Sequence, residues 1–310
     1  MRFREAYNAP CDLPTDRLLQ TASLMPLARR LERLKPTAVN TILQEVRQLR
    51  AEGHQPVSLM RGAPDLPTPE HIVTAAQQAL SDGRTGYPDN RGEPTLREAV
   101  ARSINRNGGP EYSPDNEILV TSGATLGIHA ALGAVLDPDD EVLVPEPVYD
   151  AYLSVIIQLG GRPIPVPATL DNGRFTWDPD QVNAACSPRT RAMLINSPWN
   201  PTGTVLGNDE WLRLLEVARQ HDLYVVSDEI YESICYPGHR HCTPAALSDD
   251  ARQRTIIVNS LSKTYSMTGW RVGFCAAPAE VISAMYLSLI HISEPTRRTP
   301  RSYAVFCLKK

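Results

Sequence analysis

Apolar and polar positions follow two different rhythms along the 310 residues. Up to about residue 34, prolines interrupt each short apolar run and no period is sustained, so 1–34 reads as an arm. From Pro36 onward, Val39, Ile42, Leu43 and Val46 recur at i, i+3, i+4 and i+7, the spacing of one helical face. A second helix is framed by its ends. Thr68 is placed to cap it, Pro69 suits its first turn, Ile72, Ala76, Ala79 and Leu80 share a face, and Gly83 closes it. Leu96, Val100 and Ile104 predict a third helix, ended by Gly108-Gly109.

After Glu117 the pattern changes to short apolar runs separated by amphipathic stretches such as Trp211, Leu214, Leu215 and Ala218. The runs predict seven strands: Ile118–Thr121, Val142–Pro145, Pro163–Val166, Ala192–Asn196, Leu223–Ser227, Thr255–Asn259 and Val272–Ala276. Strands covered on both faces read as unbroken apolar runs, and helical crossovers between them enforce parallel pairing. The expected fold is α/β, with a mostly parallel seven-stranded sheet flanked by helices. The rhythm then breaks. A helix is under way at Ala284–Leu287, but Ser288-Leu-Ile-His-Ile-Ser-Glu-Pro-Thr-Arg-Arg-Thr-Pro-Arg-Ser has two prolines and no period. That stretch resembles the translation of a sequencing adapter, so 288–310 is expected to be an artefactual tail, with the native chain continuing past Leu287.

Composition narrows the classes. At 42% hydrophobic residues the chain is too apolar for disorder, and no stretch reaches the ~20 apolar residues of a membrane-spanning helix. The opening MRFREAYNAPCDLP has no apolar core of a secretory signal. A net charge of −4, divided as −8 on the body and +4 on the tail, gives no field for nucleic acid or an anionic membrane. Six scattered cysteines without a C-x-x-C pair suit a reducing, cytoplasmic setting.

The candidate chemistry sits where strands end. In open parallel sheets ligands bind beyond the carboxyl ends of the strands. After Ile118–Val120 comes Thr121-Ser-Gly-Ala-Thr125, small residues opening a helix and therefore a potential anion site. Asn196-Ser-Pro-Trp-Asn200-Pro-Thr-Gly203 follows the fourth strand, and Ser227-Asp228-Glu229-Ile-Tyr231 follows the fifth. A carboxylate at a buried strand end is costly unless paired, so Asp228 needs a cation. The sixth strand leads into Ser260-Leu-Ser-Lys263, with Arg271 eight residues on. Taken singly, these are a plain connection, a helix cap and a solvated lysine. Their joint occurrence on one sheet edge points to a site. Gly238-His239-Arg-His241-Cys242 lacks zinc-ligand spacing and reads as a solvated loop, so no metal is expected. No G-x-G-x-x-G follows the first strand, which argues against a dinucleotide-binding oxidoreductase.

Four motifs in order, Tyr87-x4-Gly92-x3-Leu96-Arg97, Thr121-Ser-Gly-Ala-Thr, Asn196-x3-Asn200-Pro-Thr-Gly, and Ser260-x-x-Lys263 with Arg271, carry a family resemblance. From about Leu34 to Leu287 the chain resembles class I/II aminotransferases of the aspartate aminotransferase fold, which use pyridoxal 5′-phosphate (PLP). The resemblance implies a fold type I large domain over 67–287, incomplete at its C-terminal end, and the N-terminal part of a small domain over 35–66. It implies that Lys263 forms a Schiff base with PLP and carries protons, that Asp228 faces the pyridine nitrogen, and that Asn200 and Tyr231 donate to the phenolic oxygen. The phosphate would rest on the Ala124 and Thr125 amides, Ser260 and Arg271, with Tyr149 stacked on the ring. Tyr87 would serve the phosphate of a neighbouring subunit, implying a homodimer. Gly62, in Arg61-Gly62-Ala-Pro-Asp65, and Asn200 would meet substrate. The implied reaction passes an amino group between an amino acid and a 2-oxo acid in ping-pong fashion. A carbon–sulfur β-lyase or cyclopropane-forming synthase shares these residues, and a PLP-binding regulatory domain remains an alternative of another class. The family holds the substrate α-carboxylate with an arginine in its C-terminal region. Only Thr264–Leu287 separates Lys263 from the tail, so Arg297, Arg298 and Arg301 receive no such role.

Overall fold

The computed structural model describes residues 32, 34, 38–57 and 62–293, with side chains at 32, 34, 41–57 and 62–290. Most of the arm, Arg61 and the tail beyond 293 lie outside the described residues. Three helices come first: α1 (Ala38–Ala51), α2 (Glu70–Ser81) and α3 (Pro94–Arg106). Then β1 (Ile118–Thr121), α4 (Ala124–Val135), β2 (Glu141–Glu146), α5 (Ala151–Gln158) and β3 (Arg162–Pro167) begin the sheet. A hairpin follows, β4 (Thr169–Asp171) and β5 (Arg174–Thr176), and next α6 (Pro179–Ala185), β6 (Thr190–Asn196), α7 (Asn208–Gln220) and β7 (Tyr224–Asp228). The chain continues through α8 (Asp249–Arg254), β8 (Thr255–Ser260), α9 (Leu261–Thr264), β9 (Gly273–Ala276) and α10 (Ala279–Ser293).

All seven predicted strands are present, in the order β1-β9-β8-β7-β6-β2-β3. β9 alone runs against its neighbours, β1 and β8. The unbroken apolar runs have the expected cause. Val144, Leu194, Val226 and Val258 pack beneath α4, α5 and α10, whereas Leu143, Met193, Ile195 and Val225 pack on the other side with Trp211 and Leu214 of α7. Alternate residues thus serve opposite faces of one sheet, giving three layers, α/β/α.

Four local expectations are corrected. Thr68 does not cap α2: its hydroxyl donates to the Ser266 carbonyl at 2.7 Å, and Pro69 occupies the cap position without a side-chain bond. The tertiary partner outcompetes the local one. The hairpin β4–β5 went unpredicted, although its turn residues Asn172 and Gly173 both have positive φ (48° and 77°), as a two-residue type I′ turn requires. The helix expected to break at Leu287 runs on to Ser293, because Leu289 extends the face of Met285 by one turn and both reach the core. Gly238, His239 and Arg240 are exposed loop residues as expected, but the His241 side chain turns inward, as described below.

β3 forms one edge of the sheet and reads Arg162-Pro-Ile-Pro-Val-Pro167. The amides of Arg162 and Ala168 donate inward, to Asp140 and Glu146 around β2, at 2.8 Å each. Even-numbered residues therefore point their N–H groups at β2, and Pro163, Pro165 and Pro167 face the open side. No helix among the described residues is long and apolar enough to cross a membrane.

Candidate active site

The sheet register alone brings the singled-out residues together. Asn196 pairs with Asp228 across β6 and β7, and Asp228 with Val258 across β7 and β8. Ser260 and Thr121 both pair with Gly273, at the start of β9. Every strand end with candidate chemistry therefore opens onto one edge, where a cleft of about 610 Å³ lies. Ala124, Thr125, Tyr149, Asn200, Asp228, Tyr231, Ser260, Lys263, Arg271 and Gly62 all line it.

Asp228 ends β7 and is 4% exposed. One carboxylate oxygen accepts from the Tyr152 hydroxyl, the other from the Ile230 amide at 3.1 Å. Burial pushes its pKa up to about 6, against the pull of those two donors. No ion pair to Asp228 occurs among the described residues. The predicted need for a cation thus stands unmet by the described residues. Glu229, next in sequence, is treated differently. It accepts from Ser227 at 2.9 Å, Thr243 at 2.7 Å and the His241 ring at 3.0 Å. Burial pulls the His241 pKa down, but the Glu229 charge and hydrogen bond outweigh it and hold the ring above its ordinary value. The His241 side chain is thus a buried partner of Glu229, not loop surface. Glu229, Glu232 and His241 bring possible ligand atoms within 4.8 Å, yet Glu229 is already filled by protein donors.

Lys263 follows the one-turn helix start at Ser260, whose side chain accepts from the Ser262 amide at 2.9 Å. The lysine amine donates to the Gly62 carbonyl and lies 5.4 Å from the Tyr231 ring centre. Burial lowers its pKa below the usual lysine value, which raises the share of neutral, nucleophilic amine. The Asn200 amide nitrogen donates to the Tyr231 hydroxyl at 3.4 Å, and its backbone is set by Asn196, which accepts from the Asn200 N–H at 2.7 Å. Trp199 stays buried, its indole donating to Pro147 at 3.0 Å and bracing the same loop.

The start of α4 could hold an anion. The first amides of a helix have no intrahelical carbonyl partner and favour negative charge. Gly123, φ +85°, precedes them, and a Cβ there would stand 2.4 Å from an Arg271 guanidinium nitrogen. A Cβ on Gly273 would meet the Gly123 carbonyl carbon at 2.6 Å. Two glycines therefore let β9, the helix start and Arg271 close on one another. Arg271 itself is left-handed, φ +57°. Tyr149 sits on the cleft, 38% exposed, its ring edge-on to Tyr152 at 5.4 Å. Tyr87 is 88% exposed and lies outside the cleft. The sequence reading missed Tyr152. It sits in an apolar helical run, where a tyrosine looks like core.

Sheet order, crossing helices and this edge make the molecule a fold type I α/β protein. Residues 55–292 match the family "Aminotransferase class I and II". The aspartate aminotransferase of Geobacillus stearothermophilus is 39% identical over 84% of this chain and 66% of its own length. The probable aspartate/prephenate aminotransferase of Thermus aquaticus is 42% identical over 84% and 66%. Among solved structures, aspartate aminotransferase from Thermus thermophilus with maleate superimposes with a TM-score of 0.81 at 38% identity, covering 86% of this chain and 69% of that one. The N-succinyldiaminopimelate aminotransferase of Mycobacterium tuberculosis gives 0.81 at 36% identity, covering 86% and 68%. This chain belongs to the class I and II aminotransferase family. It spans about two thirds of the length of the relatives it matches.

Proposed function

We propose that the chain carries the cofactor-binding part of a PLP-dependent aminotransferase that moves an amino group between an amino acid and a 2-oxo acid. The family implies PLP, and the residues present fit it. A buried carboxylate with no cation among the described residues suits a protonated ring nitrogen, a lysine whose pKa burial lowers suits a carbonyl, and the glycine-shaped turn beside Arg271 suits a phosphate. Bound PLP supplies the carbonyl and the electron sink that amino-acid chemistry requires.

The chain's own groups do the rest. Lys263 would hold the cofactor through its amine, and the free amine would carry a proton to and from the substrate Cα. Asp228 holds a proton on the ring nitrogen, and Asn200 and Tyr231 donate to the phenolic oxygen. Ala124 and Thr125 amides, Ser260 and Arg271 hold the phosphate, and Tyr149 covers the ring face. Gly62, with Asn200, borders the substrate, Tyr87 reaches a second copy in a homodimer, and the setting is cytoplasmic. The observation that carries this reading is the shared cleft of Lys263 and Asp228.

The test is direct. Protein supplied with PLP should show imine absorbance that borohydride fixes, and the chain joined to the C-terminal third that its relatives carry should turn aspartate and a 2-oxo acid into oxaloacetate and the new amino acid. Release of sulfide and pyruvate from cysteine without amino transfer would replace the reading with a β-lyase. Gly123→Ala should weaken PLP binding at least tenfold, since the Cβ displaces Arg271, and its φ of 85° and ψ of 165°, open essentially to glycine alone, should cost the fold a further ~1–3 kcal/mol. Equilibrium dialysis would show it, and unchanged affinity would remove Arg271 from the phosphate site.

A further inference from the structure

We propose that Tyr152 is a positioning residue for the cofactor, acting through Asp228 to keep that carboxyl ionised and through Tyr149 to fix the stacking ring. The proposal deepens the functional reading above and rests on Asp228 meeting the ring nitrogen.

Tyr152 is 3% exposed, on the first turn of α5, and its hydroxyl donates to an oxygen of Asp228. Two forces then act on the carboxyl in opposite directions. Burial favours the neutral acid, while the tyrosine donor and the Ile230 amide favour the anion. Only an anion can hold a proton on a ring nitrogen. The donor itself is permanent: burial and the neighbouring carboxylate raise the Tyr152 pKa well above its ordinary value, so the hydroxyl keeps its proton throughout the working range. No basic side chain pairs with Asp228 among the described residues, whereas Glu229 has the His241 ring. A neutral donor suits the position. A fixed positive charge beside Asp228 would already satisfy it and compete with a protonated ring.

The same side chain has a second contact. Its ring meets Tyr149 edge to face, at 5.4 Å and 87° between planes. Tyr149 and Tyr152 both line the cleft, so the edge-on contact braces the Tyr149 ring from its side. One residue thus couples the ring's edge partner to its face partner.

Tyr152→Phe removes the donor and keeps the ring. In the cofactor-free chain, ¹³C NMR should show Asp228 titrating at a higher pH than in the parent. With PLP carrying ¹⁵N at the ring nitrogen, the variant should shift that resonance toward the unprotonated value, and PLP affinity at pH 7.5 should fall about tenfold. A merely structural tyrosine would leave both spectra unmoved, and unmoved spectra overturn the proposal. Asp228→Asn separates the two readings. If it leaves the ¹⁵N shift unaltered, the Asp228 assignment fails. If it alters the shift while Tyr152→Phe does not, only the Tyr152 proposal fails. Should the phenylalanine chain not fold, 2,3-difluorotyrosine at 152, a stronger donor, should lower the Asp228 titration instead, and no change overturns the proposal.

Discussion

Lys263→Ala, incubated with PLP and reduced with borohydride, should gain no cofactor mass, whereas the parent chain gains one equivalent on Lys263. The loss should be complete, because the neutral amine that burial favours at this position is the group that bonds a carbonyl. Lys263→Arg should fail equally. It restores a cation beside the Gly62 carbonyl but offers no nucleophile. Exchange of the substrate α-proton, followed as deuterium incorporation into aspartate, should drop by about 10²–10⁴ in both variants, the usual range for a lost proton carrier. An adduct of full stoichiometry on the alanine variant would move the assignment to another amine.

Asp228→Asn should have two effects of opposite sign. The folded carboxyl titrates at about 6 against 3.8 for a free aspartate, so the folded chain binds the proton more tightly than the unfolded one. Its contribution to stability is thus fully present below pH 3.8 and is lost as pH rises through about 6. A shift of that size corresponds to about 3 kcal/mol. The cofactor-free asparagine chain should match the parent near pH 4 and exceed it by up to that amount at pH 8, measured by denaturant unfolding. PLP binding should move the other way, weakening by about 2–5 kcal/mol through loss of a buried charge partner. General damage cannot stabilise the empty protein and weaken its ligand at once. Parallel stability profiles for the two chains would contradict the assignment of a buried, cation-seeking carboxyl.

The sheet was legible because both its faces are covered. Leu143 and Val144, or Met193 and Leu194, serve opposite layers, so each strand reads as an apolar run with nothing to confuse it. The strand-end residues were legible for a related reason: polar groups there interrupt such runs abruptly, as at Asn196 and Asp228. What stayed hidden depends on contacts across long sequence separations. Thr68 looks like a cap until Ser266 is brought beside it, 198 positions away. His241 looks like surface until it meets Glu229, and Tyr152 looks like core until β7 places Asp228 against its hydroxyl. The hairpin is the exception. Asn172-Gly173 was a readable signal, and the short strands beside it were too polar to attract notice.

The three prolines of β3 bear on how copies of this protein can meet. An outermost strand with free amides is a template on which a foreign strand can grow, the route to fibrils and to strand exchange. Here the outward donors at 163, 165 and 167 are absent while the inward ladder to β2 is kept. That margin is closed to recruitment of another chain by backbone pairing. A continuous intermolecular sheet across β3 would lack three of its ladder donors, so copies of this protein are expected to meet through other surfaces.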